Sequence, residues 1–149
     1  MNRITNKVVN KVTEKAQSAF NFPLVDTDVT GWLIVDGEEY EVCEFDIDFA
    51  QSVDHKGQPQ TDMQGGRMLI SITETVSDNI YHWSMFSKAK DGEVIFKSKT
   101  ANAPLKIRFI NGYCTDFYRE IDDHEGLTTA LVISPEKMVI NDRDFDNFW

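Results

Sequence analysis

A chain of 149 residues with 15 basic and 25 acidic side chains, a formal net charge of −10, lacks the concentrated basic surface that phosphate recognition needs, which excludes nucleic acid as a partner. Hydrophobic residues at 41% and charged residues at 27% suit one soluble globular domain, long enough to bury a core without a metal or a disulfide. The apolar runs are too short for a membrane span or for the core of a signal peptide near Met1, so the expected site of synthesis and assembly is the cytoplasm.

The charge is uneven. Residues 1–20 hold Arg3, Lys7, Lys11 and Lys15 against Glu14 alone, a local +3, leaving −13 for the remainder. In this stretch Ile4, Val8, Val12, Ala16 and Phe20 recur every four positions, the period of an amphipathic helix, with Lys7, Lys11 and Lys15 as an adjacent stripe. Its Val, Asn and Thr content makes the helix marginal alone, so it needs a surface to dock on. Three readings compete: a helix docked on the acidic body, an arm binding a neighbouring subunit or another protein, or a helix lying on a membrane. The absence of Trp and the single Phe weigh against the membrane. Asn21-Phe22-Pro23 ends the helix, and the chain to Thr30 reads as a linker, dividing an arm and linker (1–30) from a body (31–149).

Beyond Gly31 the period shifts to two. Trp32–Val35, Asp36-Gly37 and Glu39–Phe49 read as a hairpin, with Asp-Gly supplying the tight turn. In its second arm Cys43, Phe45, Ile47 and Phe49 are expected to face the core; Tyr40, Val42, Glu44, Asp46 and Asp48 are expected on a solvated outer face. Residues 50–66 form a long polar loop rich in Gly, Gln and Asp, of a length that tends to be functional or disordered. Met68, Ile70 and Ile72 alternate in a third strand. Ser77 is placed to cap a helix over Asp78–Lys88 that turns Ile80 and Trp83 inward. Asp91-Gly92 reads as a turn into Glu93–Lys99, Leu105–Ile121 as a long strand, and Leu127–Ser134 and Lys137–Asn141 as two more. About seven strands joined by short turns around one short helix predict a mainly β fold, an antiparallel β-barrel or two packed sheets, with an N-terminal amphipathic helix appended.

Nothing assembles into a catalytic or cofactor site. Cys43 and Cys114 are far apart and read as small buried hydrophobes, free rather than bridged. His55, His82 and His124 have no second ligand at metal spacing, and Asp122-Asp123-His124-Glu125 reads as a solvated turn. Asp46 and Asp48, two apart on one strand face, read as outer-face polarity rather than an acid–base pair.

The loop carries the most specific pattern: Val53-Asp54-x-x-Gly57-Gln58-Pro59, five residues, then Gly65-Gly66 and Arg67. Around it, in order, lie "VDGEEYEV", the helix with Trp83, Lys90-Asp91-Gly92, "LKIRFINGY", "ISPEKMVIN" and a terminal Asn147-Phe148-Trp149. This order resembles the Bacteroidetes branch of the Hcp/TssD family of type VI secretion, over about Gly31 to Trp149. The resemblance implies a barrel whose copies form hexameric rings and stack into a tube inside a contractile sheath, carrying effectors and exported without a signal peptide. It also implies that Val53, Asp54, Gly57, Gln58, Pro59, Gly65, Gly66 and Arg67 join subunits or rings, with sheath, tip and effector proteins as further partners. Phe145, Phe148 and Trp149 are candidate contacts that either meet a neighbour or tuck into the barrel end. Family members often carry arginine where Gln58 and Gln64 stand, and usually begin near the first strand. The extra arm, with Ile4, Lys7, Val8, Lys11, Val12, Lys15 and Phe20 as its contact residues, leaves open the main tube subunit or a specialised variant. A phage-like tail tube and, from another class, a monomeric ligand-binding barrel remain as alternatives.

Overall fold

The computed structural model describes residues 29–98, 105–124 and 126–149, so the expected helix over 3–20 and its linker lie outside the described residues. The elements are β1 (Thr30–Val35), β2 (Glu38–Ala50), β3 (Gln64–Ile72), α1 (Asp78–Met85), β4 (Ala89–Lys97), β5 (Leu105–Asp122), β6 (Gly126–Ile140) and β7 (Arg143–Asp146). Asp36 and Gly37, at φ 54° and 74°, make the expected tight turn between β1 and β2.

All seven strands belong to one antiparallel sheet in the order β3-β2-β1-β4-β5-β6-β7, and β3 pairs again with β6. Six strands thus close on themselves as a barrel, which replaces the alternative of two packed sheets. Closure is possible because β6 is long and divides its second edge. Thr129–Ile133 pair with β3, while Lys137–Ile140 pair with β7. β7 is bonded to β6 on one side only and carries Arg143, Asp144 and Asp146.

The interior is filled by side chains. Leu33, Met68, Ile70, Ile72, Val94, Ile107, Phe109 and Ile133 are fully buried. Ile80 and Trp83 of α1 join them as expected; Trp83 lies parallel to Phe109 at 6.2 Å, and its Nε1 donates to the Gly112 carbonyl at 3.0 Å. Burying an indole requires such an acceptor, and the backbone of β5 supplies it at Gly112.

Several expectations are corrected. The alternation of β2 is broken by a bulge between Val42 and Glu44, where Cys43 has no partner in the ladder. The extra residue reverses the strand's sides: Tyr40 and Val42 point into the core before it, Phe45 and Ile47 pack against the core after it, and Cys43 is exposed. Asp46 is not solvated but 4% exposed. Asp91-Gly92 is not a turn; it sits within β4 at another bulge. The helix ends at Met85, and Ser77 makes no side-chain cap: its amide donates to the Tyr40 hydroxyl at 3.2 Å. That hydroxyl donates to Glu38 at 2.8 Å, which holds the Glu38 carboxyl below its usual range, while burial pushes the Tyr40 phenol up.

The two last expected strands are a single one, β6, running through Pro135 opposite Gly112. The N–H and C=O of a strand residue point to the same neighbour. The Pro135 carbonyl faces Asn147, so its missing N–H falls in the gap where β6 passes from β3 to β7 and no ladder bond is required.

Candidate assembly surface

The chain between β2 and β3 folds back on itself as a small hairpin. Val53 and Pro59 form an isolated bridge, the Asp54 amide donates to the Gln58 carbonyl at 2.9 Å, and the Gln60 amide donates to the Ser52 carbonyl at 2.7 Å. Its tip is organised by Asp54, whose Oδ1 accepts from the amides of Lys56 (2.8 Å) and Gln58 (2.9 Å), an Asx arrangement that holds the turn. Gly57 completes it at φ 83°. Lower down, the Ser52 amide donates to Thr61 Oγ1 and Gln51 Nε2 to the Thr61 carbonyl. The hairpin is therefore shaped by its own backbone while nearly all of it stays in solvent; Val53 is 55% and Met63 44% exposed.

Gly65 and Gly66 anchor its base. Both have positive φ, 132° and 76°, at a register shift between β2 and β3. A Cβ at Gly65 would lie 2.5 Å from the Asp48 carbonyl oxygen, and one at Gly66 2.7 Å from Met138 Sδ. Only glycine fits backbone conformation and neighbours together.

The C-terminus closes on the same point. Asn147 Oδ1 accepts from the Gly65 amide (2.9 Å), and its Nδ2 donates to the carbonyls of Gly65 (2.9 Å) and Pro135 (2.8 Å). One side-chain amide thus bridges β3 and β6 above the place where their ladder stops. Sequence reasoning placed Asn147 in a terminal motif but gave it no role; the available signal was a lone Asn amid aromatic residues at the end of the chain. Phe145 packs against the core and meets Phe49 edge-on at 4.9 Å. Phe148 and Trp149 do not tuck into the barrel: they are 79% and 63% exposed, Trp149 resting 5.7 Å from the Tyr113 ring. A groove between the hairpin base and this terminus is lined by Asp48, Gln51, Thr61, Arg67, Ser134 and Trp149 among others. Arg67 approaches Asp48 at 4.0 Å, a loose and exposed pair.

The structure thus brings Gly65, Gly66, Arg67, Phe145 and Trp149 to one end of the barrel and projects Val53, Asp54, Gly57, Gln58 and Pro59 away from it. The arm residues lie outside the described set.

The family match decides how this surface is to be understood. The Hemolysin coregulated protein Hcp (TssD) family matches residues 27–149. This chain belongs to the Hcp family. The Hcp barrel is similar to that of Hcp1 from Flavobacterium johnsoniae, with 30% identity, 79% of this chain and 99% of that one covered, and a TM-score of 0.71. Hcp1 from Salmonella typhimurium (14% identity, 75% and 85% covered, TM-score 0.62) and the Hcp1 protein from E. coli EAEC 042 (12%, 81% and 99%, TM-score 0.65) show the same fold. No curated protein matches the sequence. Hcp supplies the tube of type VI secretion, so this chain is a structural tube protein and not an enzyme.

Among the described residues, no group of three or more His, Cys, Asp or Glu side chains is placed to hold a metal ion, and no helix is long and apolar enough to cross a membrane. Cys43 and Cys114 are both free thiols. Cys114 packs against the core, and burial pushes its thiol up to about 12.

Proposed function

We propose that residues 31–149 are a building block whose copies close into hexameric rings and that the Val53–Pro59 hairpin joins one ring to the next. The supporting observation is a hairpin that fixes its own shape with backbone hydrogen bonds yet spends almost all of its surface on solvent. A pre-shaped, exposed segment loses little conformational entropy when a neighbour covers it. Exposed Phe148 and Trp149 add the apolar area that an interface concentrates near its centre. Closed rings need only self-complementary patches repeated about an axis. By family, the sheath, tip and effectors are the further partners.

The test removes residues 52–61 while keeping the Gly65-Gly66 base, joining Gln51 to Asp62 through a short Gly-Ser turn. Circular dichroism should report an intact β fold, and light scattering with negative-stain images should find rings that no longer stack. Tubes that persist after the deletion would refute the hairpin assignment, and monomers from the parent chain at all concentrations would refute the ring.

A second reading is favoured by the 26 residues that precede the family match. On that reading the chain is a specialised tube variant whose basic arm contacts cargo, the lumen or a neighbouring acidic body. Rings that form only after residues 1–30 are removed would identify the arm as regulatory.

A further inference from the structure

The outside of the barrel carries a second apolar patch, on β3 and β6. Alternation along β3 sends Met68, Ile70 and Ile72 inward and Leu69 and Ser71 outward; along β6 it sends Leu131 and Ile133 inward and Ala130 and Val132 outward. The registers join these outward residues in rows: Asp46, Leu69, Val132 and Asp116 across four strands, then Glu44, Ser71, Ala130 and Tyr118. Leu69 and Val132 are 5% and 3% exposed, Ala130 5% and Ser71 2%, although all four lie on the outer face. Leu69 and Val132 form a cluster of their own, separate from the interior. The apolar floor on β3 and β6 is walled by carboxylates on both sides: Glu44, Asp46 and Asp48 on β2, and Asp116, Glu120 and Asp122 on β5.

We propose that this channel seats the chain's own residues 3–20 as an amphipathic helix. Ile4, Val8, Val12 and Ala16 rest on Leu69, Ala130 and Val132, and Lys7, Lys11 and Lys15, a single stripe beside them, reach the acidic wall on one side. Charge and shape both match. The segment's basic stripe is the complement of a carboxylate wall, and its apolar stripe matches the floor beside that wall. Four adjacent strands span about 14 Å from wall to wall, which accommodates a helix about 10 Å wide. Reach is sufficient as well. Gly31 pairs with Val42, Val42 with Ile72, and Ile72 with Thr129, so β1 begins level with the floor and two strands away from β3. That is about 10 Å around the barrel, whereas residues 21–29 extend to about 30 Å. A helix too weak to stand alone thereby gains a surface. The seating is independent of the tube reading, since a ring and a monomer can both hold it.

The test uses the full chain and hydrogen exchange read by mass spectrometry. Amides of residues 3–20 should exchange at least tenfold more slowly than in an unstructured peptide. That protection should disappear in Val8→Asp/Val12→Asp and in Asp116→Lys/Glu120→Lys, with β1 and β4 protected as before. It should also weaken on raising NaCl from 0.05 M to 1 M, where the Debye length falls to about 3 Å. An arm exchanging at unstructured rates in the parent chain overturns the proposal, as does protection unchanged by both variants. Carbodiimide cross-linking of mixed unlabelled and ¹⁵N-labelled protein should link arm lysines to β2 or β5 carboxylates within one isotopic species. Mixed-isotope links would assign the channel to a neighbouring copy's arm and overturn it too.

Discussion

Asn147→Ala isolates the clasp between the C-terminus and the hairpin base. The substitution removes three hydrogen bonds, one accepted from Gly65 and two donated to Gly65 and Pro135, all between 2.8 and 2.9 Å. At about 0.5–1.5 kcal/mol net for each bond, and with water able to reach part of the site, the expected cost is about 2 kcal/mol. A domain of this size should then melt about 4–8 °C lower. Asn147→Asp sharpens the argument. It keeps an acceptor for the Gly65 amide but sets a carboxylate oxygen against two carbonyls. It should therefore cost more than alanine at pH 7 and recover relative to the parent below about pH 4, where a protonated acid can donate again. Urea unfolding followed by circular dichroism, at one fixed protein concentration because association shifts apparent stability, measures both. An alanine variant within about 0.5 kcal/mol of the parent, or an aspartate variant as stable as the parent at pH 7, would refute the clasp.

Gly65→Ala should cost more than about 3 kcal/mol or abolish soluble folded protein, because its Cβ would meet backbone at 2.5 Å rather than a side chain that can move; yield and melting temperature report it. Trp83→Phe leaves the buried Gly112 carbonyl without its donor and should lower stability by about 2–3 kcal/mol in the same urea assay. Thiol reagents at pH 8 should modify exposed Cys43 first and reach Cys114 only on unfolding, as timed mass spectrometry would reveal. The raised Cys114 pKa is a stability contribution fully present below the unfolded value near 9 and lost as pH rises toward 12. Cys114→Ala should therefore flatten the loss of stability across that alkaline window, measured by melts at stepped pH.

What the sequence could reveal depended on how local the cause was. The β1–β2 turn was legible because Asp36-Gly37 dictates it through two adjacent residues, and the inward side of α1 because Ile80 and Trp83 sit three apart. The family was legible because short motifs kept their order around the Val53–Gly66 loop. The faces of β2 were not, since alternation is assumed continuous and the bulge at Cys43 leaves no mark in residue type. The continuity of β6 through Pro135 was not legible, because the gap that tolerates a proline there is made by strands from elsewhere in the chain. β7 was missed because its Arg and Asp residues show no apolar alternation. Asn147 escaped for the plainest reason, its partner Gly65 being 82 residues away. The buried outer patch follows from three separate registers, which no single strand displays.

The terminal strand has a consequence for how copies can meet. Among the described residues β7 ends the strand order and is bonded on one flank, so its other side is a place where foreign backbone could add on. That strand is four residues long and studded with charge, a poor template for indefinite sheet growth. At that flank a protein that must crowd with identical molecules is thus steered away from continuous sheet growth, so that copies meet there through loops and side chains rather than through a shared ladder.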